Sequence, residues 1–211
     1  ISACLVGSEM CIRDSITGCH GFCQMEPSML VEPRGTFYPK VNVKDVPRLV
    51  AAASRGVVVE ELLVYDYGTE RRLETMKDIA FFSRQRRALL GLNEKVDPIR
   101  IFNYIEQGGY WAFAKVLARG EPEWVREEIK AAKLRGRGGA GFPTGVKWDL
   151  LARQTGRRGK VIVCNADEGD PGAYMDRSVL EGNPHSIIEG MLIGAYATGA
   201  AEGVAYVRSE Y

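Results

Sequence analysis

No uninterrupted apolar stretch in this 211-residue chain reaches the roughly 18 residues that a membrane-spanning helix requires. The longest candidate, 191–207, is broken by Glu202 and by three glycines, so no direct membrane insertion is expected. A surplus of one charge is also missing. Lys and Arg number 28 against 27 Asp and Glu, a net charge of +1, and this gives no electrostatic case for nucleic acid or an anionic membrane surface. The start has no basic region followed by a long apolar one, so no secretory leader is expected. Cysteine is sparse and odd in number, five in all, with four of them before residue 24 and Cys164 far away. That pattern is a poor disulfide framework and points to a reducing, cytoplasmic compartment. Internal repeats and low-complexity tracts are absent as well. What remains, 45% apolar and 26% charged, is ordinary for a soluble chain with room for one or two domains.

The stretch that stands out is Leu134-Arg135-Gly136-Arg137-Gly138-Gly139-Ala140-Gly141-Phe142-Pro143-Thr144-Gly145-Val146-Lys147-Trp148. Five glycines and a proline in fifteen residues cannot form the interior of a core helix or strand, where each glycine costs roughly 0.5–1 kcal/mol relative to alanine. Such a run suits bare backbone N–H groups closing on a ligand. Arg135, Arg137 and Lys147 add positive charge, and donors with charge suit a phosphate. The spacing Gly136-x-Gly138-x-x-Gly141 imitates the Rossmann fingerprint, but that fingerprint follows a strand. Here residues 122–134 read as a helix, with Val125, Ile129 and Ala132 three and four apart. A Walker A loop fails too, because no Gly-Lys-Ser/Thr follows. The competing reading is a mobile surface connection.

A second stretch favours the ligand reading: Val161-Ile162-Val163-Cys164-Asn165-Ala166-Asp167-Glu168-Gly169-Asp170-Pro171-Gly172-Ala173-Tyr174-Met175-Asp176-Arg177. Together the two stretches resemble the flavin- and NADH-binding subunit of respiratory complex I and its relatives in NAD(P)-reducing and electron-bifurcating hydrogenases and formate dehydrogenases. The resemblance covers about 78–211 and, more faintly, 16–65. It implies an α/β fold: a truncated Rossmann-like FMN/NADH-binding domain, preceded by a thioredoxin-like ferredoxin remnant.

Taken in order, residues 1–15 have no counterpart in that family and resemble a peptide translated from a sequencing adapter. They are expected to be foreign or disordered, which would leave Cys4 and Cys11 without meaning. Residues 16–65 are expected to hold the partial ferredoxin domain, with short strands at 29–33 and 36–41 around Pro33-Arg34-Gly35, a helix at 43–54 and a strand-like run at 57–65. Residues 66–78 read as a polar connector and the domain boundary, and 66–115 as connector and helical approach to the flavin domain. A helix is expected at 81–91, with Arg84, Arg86 and Arg87 on a solvated face. In 97–117, Asp97-Pro98 reads as N-cap and first helical position. Gly108-Gly109-Tyr110 separates two helices, and Tyr110, Trp111 and Phe113 are expected in the core. The flavin-binding part is placed at 116–211, with a helix at 146–154 and a buried, parallel-type strand at 160–164. A helix over Pro184–Thr198, opened by Asn183, and a strand at 203–208 complete a βαβ unit. The chain then ends just after that strand, which reads as a fragment of a longer product.

The resemblance also assigns chemistry. Gly136, Arg137, Gly138, Gly139 and Lys147 are expected to bind FMN, whose phosphate carries about 1.5–2 negative charges by analogy with other monoesters. Phe142 stacks on the adenine of NADH in the family; the second aromatic often found there is here Leu150. Asn165, Asp167 and Glu168 would face flavin and nicotinamide. Their carboxylates suit hydroxyls and amides rather than a phosphate, and Glu168 is the candidate catalytic residue, steering NADH. A metal site is the rival for this acidic cluster, but EF-hand spacing is absent and no histidine joins it. Tyr206, Ser209 and Glu210 match the next flavin-contacting strand end, with Ser209 in place of the usual glycine or alanine. Cys19 and Cys23 resemble the second cysteine pair of a [2Fe–2S] ferredoxin. A cluster needs four ligands, so that centre is expected only in a longer parent, as is the family's [4Fe–4S] centre. His20 reads as a loop residue and Cys164 as packing. The implied activity is that of an NAD(P)H:acceptor oxidoreductase subunit, passing a hydride from NADH to FMN and single electrons to iron–sulfur clusters. Its implied partners are a ferredoxin-like small subunit and an iron–sulfur or hydrogenase subunit, through which it could reach the cytoplasmic face of a membrane. The alternative is a catalytically silent docking or assembly module.

Overall fold

The computed structural model describes residues 14–156 and 159–211. The expected foreign start, with Cys4 and Cys11, lies almost wholly outside the described residues. Two compact units divide the chain, the first ending at Gly91 and the second beginning at Leu92. The described residues mix helices with short strands, and the strands form three two-stranded sheets.

In the first unit, β1 (Met29–Val31) pairs antiparallel with β2 (Thr36–Tyr38), Leu30 opposite Phe37. Gly35, at φ +75°, supplies the left-handed turn residue between them. All three residues of β2 are buried. A tight turn at Val43–Asp45, in which the Asn42 N–H donates to the Asp45 carboxylate at 3.1 Å, leads into α1 (Val46–Ala53). That helix buries Leu49 and Ala52 against Tyr38, Val59 and Leu63. A second cluster gathers Phe37, Val64, Ile79 and Phe82, with Phe22 stacked on Phe81 at 4.2 Å between centroids.

Three expectations are corrected here. The apolar run 57–65 is a strand only from Val64 onward. The Val59 N–H donates to the buried Tyr38 hydroxyl at 3.0 Å, and Glu60–Leu62 form a 3₁₀ turn, so neither joins a ladder. The polar segment 66–78 is no connector. Asp66 accepts from the Gly68 N–H and the Thr69 hydroxyl, and this side-chain turn folds β4 (Arg71–Leu73) back on β3 (Val64–Asp66). The helix expected at 81–91 is a single turn, α2 (Ala80–Ser83). After Phe82 the next core-facing positions are Gln85 and Arg86, so no apolar stripe continues the helix.

In the second unit, Asp97 is buried. It accepts from the Ile99 N–H at 3.2 Å and pairs with Arg100, closing a turn, so α3 (Ile101–Glu106) begins later than Asp97-Pro98 suggested. Gly108-Gly109-Tyr110 does separate two helices. Tyr110 adopts φ +63° ahead of α4 (Trp111–Arg119). Trp111, expected in the core, is 71% exposed, whereas Val116 is the buried residue of α4. α5 (Pro122–Ala131) and α6 (Thr144–Ala152) flank the glycine stretch, and Val116, Val125 and Ala197 form the buried core with Trp124 and Trp148 beside it.

The parallel pairing is as expected. β5 (Val161–Ala166) aligns with β6 (Glu202–Val207), Asn165 opposite Tyr206, and the crossover carries α7 (Met175–Gly182) and α8 (Pro184–Thr198). The β5 strand is not buried on both faces. Ile162, Cys164 and Ala166 turn inward while Val161 and Val163 are exposed, because α8 covers one face among the described residues. Asn183 sits at the start of α8 but its side chain makes no capping bond. It is buried, and its Oδ1 meets no hydrogen-bond partner among the described residues. Lys160 donates to the Ala152 and Thr198 carbonyls at 2.6 and 3.0 Å, closing the C-terminal ends of α6 and α8 with one cation.

Glu189, the lone charge on α8, ties this helix to α3 and α4. Its carboxylate is 7% exposed and accepts the Tyr104 hydroxyl (2.6 Å) and the N–H groups of Tyr110 (2.8 Å) and Phe113 (3.1 Å). Burial, then the bond to Glu189, pushes the Tyr104 phenol up. Glu189→Ala would strand three donors and remove a charge from a helix N-terminus. We expect a loss of about 2–4 kcal/mol in urea unfolding of the second unit, with a smaller loss for Glu189→Gln. A loss below about 0.5 kcal/mol for Glu189→Ala, the range of ordinary surface changes, would show that the carboxylate does not join these helices.

Candidate functional site

The glycine stretch forms a closed loop with an open tip. At its base the Gly136 N–H donates to the Phe142 carbonyl (2.9 Å) and the Thr144 N–H to the Leu134 carbonyl (2.9 Å), and Arg135 bridges to Pro143. The Arg135 guanidinium donates to the Gly141 carbonyl at 3.1 Å. Arg135 therefore braces the loop from within, unlike the other cations of the stretch. At the tip, Gly139 and Gly141 have φ of +96° and +60°, and a methyl group on Gly138, Gly139 or Gly141 would meet nothing within 4 Å. Among the described residues no acceptor meets the N–H groups of 137–141. Neither the Arg137 nor the Lys147 side chain makes an ion pair there. Phe142, 46% exposed, and Leu150, 53% exposed, lie on the same loop-and-helix segment.

The helices behind the loop are fixed by contact. Gly145, buried in the first turn of α6, would place a methyl 2.9 Å from the Lys130 backbone nitrogen of α5. Asp149 accepts from Arg126 at 2.8 Å and from Lys130, and Arg126 also reaches the Ala197 carbonyl at 2.5 Å. Bonds first to Lys130 and then to Arg126 hold the Asp149 carboxyl below its usual range against the opposing effect of burial.

The second group of candidates meets at the carboxyl ends of β5 and β6, where open α/β sheets place ligands. Asn165 and Tyr206 are opposite each other and exposed, and Asn165 Oδ1 accepts from the Asp167 N–H at 3.2 Å. Ser209 and Arg208 both donate to Glu210. The Arg208 bond holds the Glu210 carboxyl down to about 2. Glu168 has a role that motif reading did not reveal. Its carboxylate accepts the N–H groups of Met175 (2.9 Å), Asp176 (3.1 Å) and Arg177 (3.3 Å), the first turn of α7, and also the Tyr211 hydroxyl (2.7 Å). Burial works against the charge, but these donors prevail and hold its carboxyl below the usual range. Asp176 goes the other way, raised by burial and then by the charge of Glu168. Among the described residues, no hydrogen bond joins the glycine loop to this acidic loop.

In the first unit, Gly21 at φ +78° curls the backbone between Cys19 and Cys23, and its N–H donates to Cys19 Sγ at 3.2 Å. Cys23 is exposed at the start of a 3₁₀ turn. Two thiols are half of what a [2Fe–2S] centre needs, and no group of three or more His, Cys, Asp or Glu side chains converges among the described residues. His20, read as a loop residue, does lie outside helix and strand but is 5% exposed, near Phe37. Burial pushes the Cys164 thiol up, consistent with packing.

Two functional groups escaped the motif reading. Glu168 as a helix cap had a signal in its position just ahead of α7, but the intervening turn disguised it. Glu189 had a clearer one, a single charge in an otherwise uncharged helix of fifteen residues.

Residues 129–211 match the family model described as the Nuo51 FMN-binding domain, Complex1_51K. The chain is 53% identical over 116 residues to the NADP-reducing hydrogenase subunit HndC of Solidesulfovibrio fructosivorans, covering 55% of this chain and 23% of that one. It is 47% identical over 108 residues to an NADH-quinone oxidoreductase subunit of Rhizobium meliloti (strain 1021), covering 51% and 25%. The chain thus spans about a quarter of the length of these curated relatives. Among solved structures, a NAD+-reducing [NiFe]-hydrogenase in the air-oxidized state aligns over 92% of this chain and 30% of its own, at 26% identity and a TM-score of 0.46. No helix among the described residues is long and apolar enough to cross a membrane.

The Glu168 cap generates a pH prediction. A carboxyl held below its unfolded value contributes stability that is fully present above that unfolded value and is lost as pH falls through the folded one. Hydrogen-exchange protection of the Met175, Asp176 and Arg177 amides should therefore hold at neutral pH and fall away below about pH 4. Protection within α8 should outlast it. Equal protection of both helices down to about pH 2.5 would remove Glu168 as the cap.

Proposed function

We propose that this chain is the glycine-loop portion of a flavin subunit in an NAD(P)H:acceptor oxidoreductase, binding FMN and a nicotinamide nucleotide in the second unit. The observation that carries the reading is the tip of the glycine loop, where, among the described residues, backbone N–H groups without acceptors flank Arg137 and lead into α6 with its Lys147, neither cation being ion-paired. Such a tip, running into the N-terminus of α6, suits an anionic phosphate.

When bound, FMN supplies the capacity to take a hydride from NADH and to release electrons singly. The protein's own contribution is placement. Arg137, Gly138, Gly139 and Lys147 would hold the phosphate, while Gly136, expected from the sequence to join them, has its N–H bonded to the Phe142 carbonyl and would close the base of the loop instead. The Asn165 amide and Asp167 carboxylate, exposed at the end of β5, would accept from or donate to sugar hydroxyls and ring amides. Tyr206, Ser209 and Glu210 would border the same slot from β6, and Glu168 would keep the acidic loop in place for the nicotinamide. Phe142 offers a flat apolar face for adenine. None of these groups has to act as a nucleophile or general base.

The relatives are named as hydrogenase and NADH-quinone oxidoreductase subunits, which supports assembly with further subunits of such a complex; iron–sulfur subunits among them would take the electrons released by the flavin. A parent chain longer than this one would carry the [4Fe–4S] centre and complete a thioredoxin-like ferredoxin around Cys19 and Cys23. The doubly wound, Rossmann-like extension of the β5–β6 pair belongs to the same proposal.

Lys147→Ala tests it. Losing a bond to a charged group costs on the order of 1.5–3 kcal/mol, roughly one to two decades of affinity. Flavin fluorescence quenching should show FMN binding weakened by that factor in the variant, with riboflavin, which lacks the phosphate, unaffected. FMN and riboflavin binding equally well to the unaltered chain, or unchanged FMN binding in the variant, would mean that the loop is not the phosphate cradle.

A further inference from the structure

The four donors on the Glu168 carboxylate come from two directions. Three are backbone N–H groups from the first turn of α7, within nine residues of Glu168 along the chain. The fourth, the Tyr211 hydroxyl, comes from beyond the end of β6, 43 residues away. From the same side Arg208 donates to the Glu168 backbone carbonyl at 2.8 Å. The Tyr211 ring is backed by the Arg177 guanidinium, 5.5 Å from the ring centroid, and its hydroxyl lies 3.5 Å from the Ala173 carbonyl. The acidic loop is therefore closed on α7 by local bonds and tied to the strand pair by Arg208 through its backbone and by Tyr211 through its side chain.

We propose that Tyr211 is a positioning residue that acts through Glu168, holding its carboxylate on α7 so that residues 167–174 keep one shape at the end of the strands. Its consequence for ligand binding rests on the nucleotide-site reading above. A phenol donating to a carboxylate makes a charge-assisted bond, stronger than a neutral one. Burial and then Glu168 push the Tyr211 phenol up to about 12, so it remains a donor throughout the neutral range. Of the other charged groups, Asp176 on α7 interacts with the carboxylate directly, Arg177 on α7 and Arg208 after β6 act on the Tyr211 phenol, and Asp167 on the loop itself acts on Arg208. Tyr211→Phe leaves all of these in place and retains the ring over Arg177.

Two measurements on the full chain test the assignment. In the first, the Glu168 carboxyl is titrated by carbon-detected NMR in the unaltered protein and in Tyr211→Phe. Removing a donor to the charged form should move its midpoint upward. In the second, NADH binding is measured calorimetrically in Tyr211→Phe, Glu168→Gln and the double variant. Tyr211→Phe should weaken NADH about tenfold, within the range for one hydrogen bond, and should add little in the Glu168→Gln background, as expected of two residues acting as a unit. An unmoved midpoint overturns the proposal. So does an equal loss of NADH affinity in both backgrounds, which would make Tyr211 a direct ligand contact. Failure of the unaltered chain to take NADH at all would instead sink the nucleotide-site reading, and the titration alone would then decide whether Tyr211 positions Glu168.

Discussion

A buried carboxylate on a helix N-terminus is the interaction on which the second unit depends. Glu189 carries its charge into the interior and meets a phenol and two backbone N–H groups at the start of α4. The desolvation of the carboxylate is offset by donors that would themselves be orphaned without it. Glu168 repeats the device at the start of α7, and at the opposite poles Lys160 and Arg126 meet the last carbonyls of α6 and α8. The buried apolar cluster of this unit is small, built on Val116, Val125 and Ala197. Charged groups at helix ends therefore set much of the geometry that a larger core would otherwise impose.

This division explains what could be read from the sequence. The bounds of α8 were legible because Pro184 can only start a helix and Gly199, at φ +72°, ends it. The parallel pairing of β5 and β6 followed from two apolar runs separated by a helical crossover. The glycine loop was legible as an exposed chain of N–H groups because so many glycines fit no helix or strand interior, and the second stretch favoured a ligand over a mobile surface connection. What depended on distant side chains was hidden. Tyr38 withdraws the Val59 N–H from a strand, and Asp66 folds a polar segment into a hairpin. Asn183 occupies the capping position of α8 without capping it. Glu168 read as a ligand group from its motif, whereas its contacts are with α7 and Tyr211.

The charges around the candidate site are sorted by position. The loop tip carries Arg137 and the first turns of α6 carry Lys147, while Asp167, Glu168 and Glu210 lie at the strand ends. A ligand with an anionic tail and a hydroxyl-bearing body would be oriented by that polarity before any close contact formed. Arg208 tempers the acidic end by pairing with Glu210, and Arg135 is withdrawn from the cationic end by its bond to Gly141. The count of charges in the sequence thus overstates what each end presents to a ligand.

The absent side chain at Gly145 has a consequence for the loop ahead of it. With α6 lying so close to α5 that a single methyl would strike the Lys130 backbone, and with Asp149 bonded across to Arg126, the two helices act as the fixed jaws of a calliper. Residues 135–143 must span a constant gap between those jaws. Lengthening or shortening that segment by one residue cannot be absorbed by sliding the helices, so it would alter the mouth of the loop itself. The width of the mouth is then a property of residue count, set by the separation of the two helices that frame the loop.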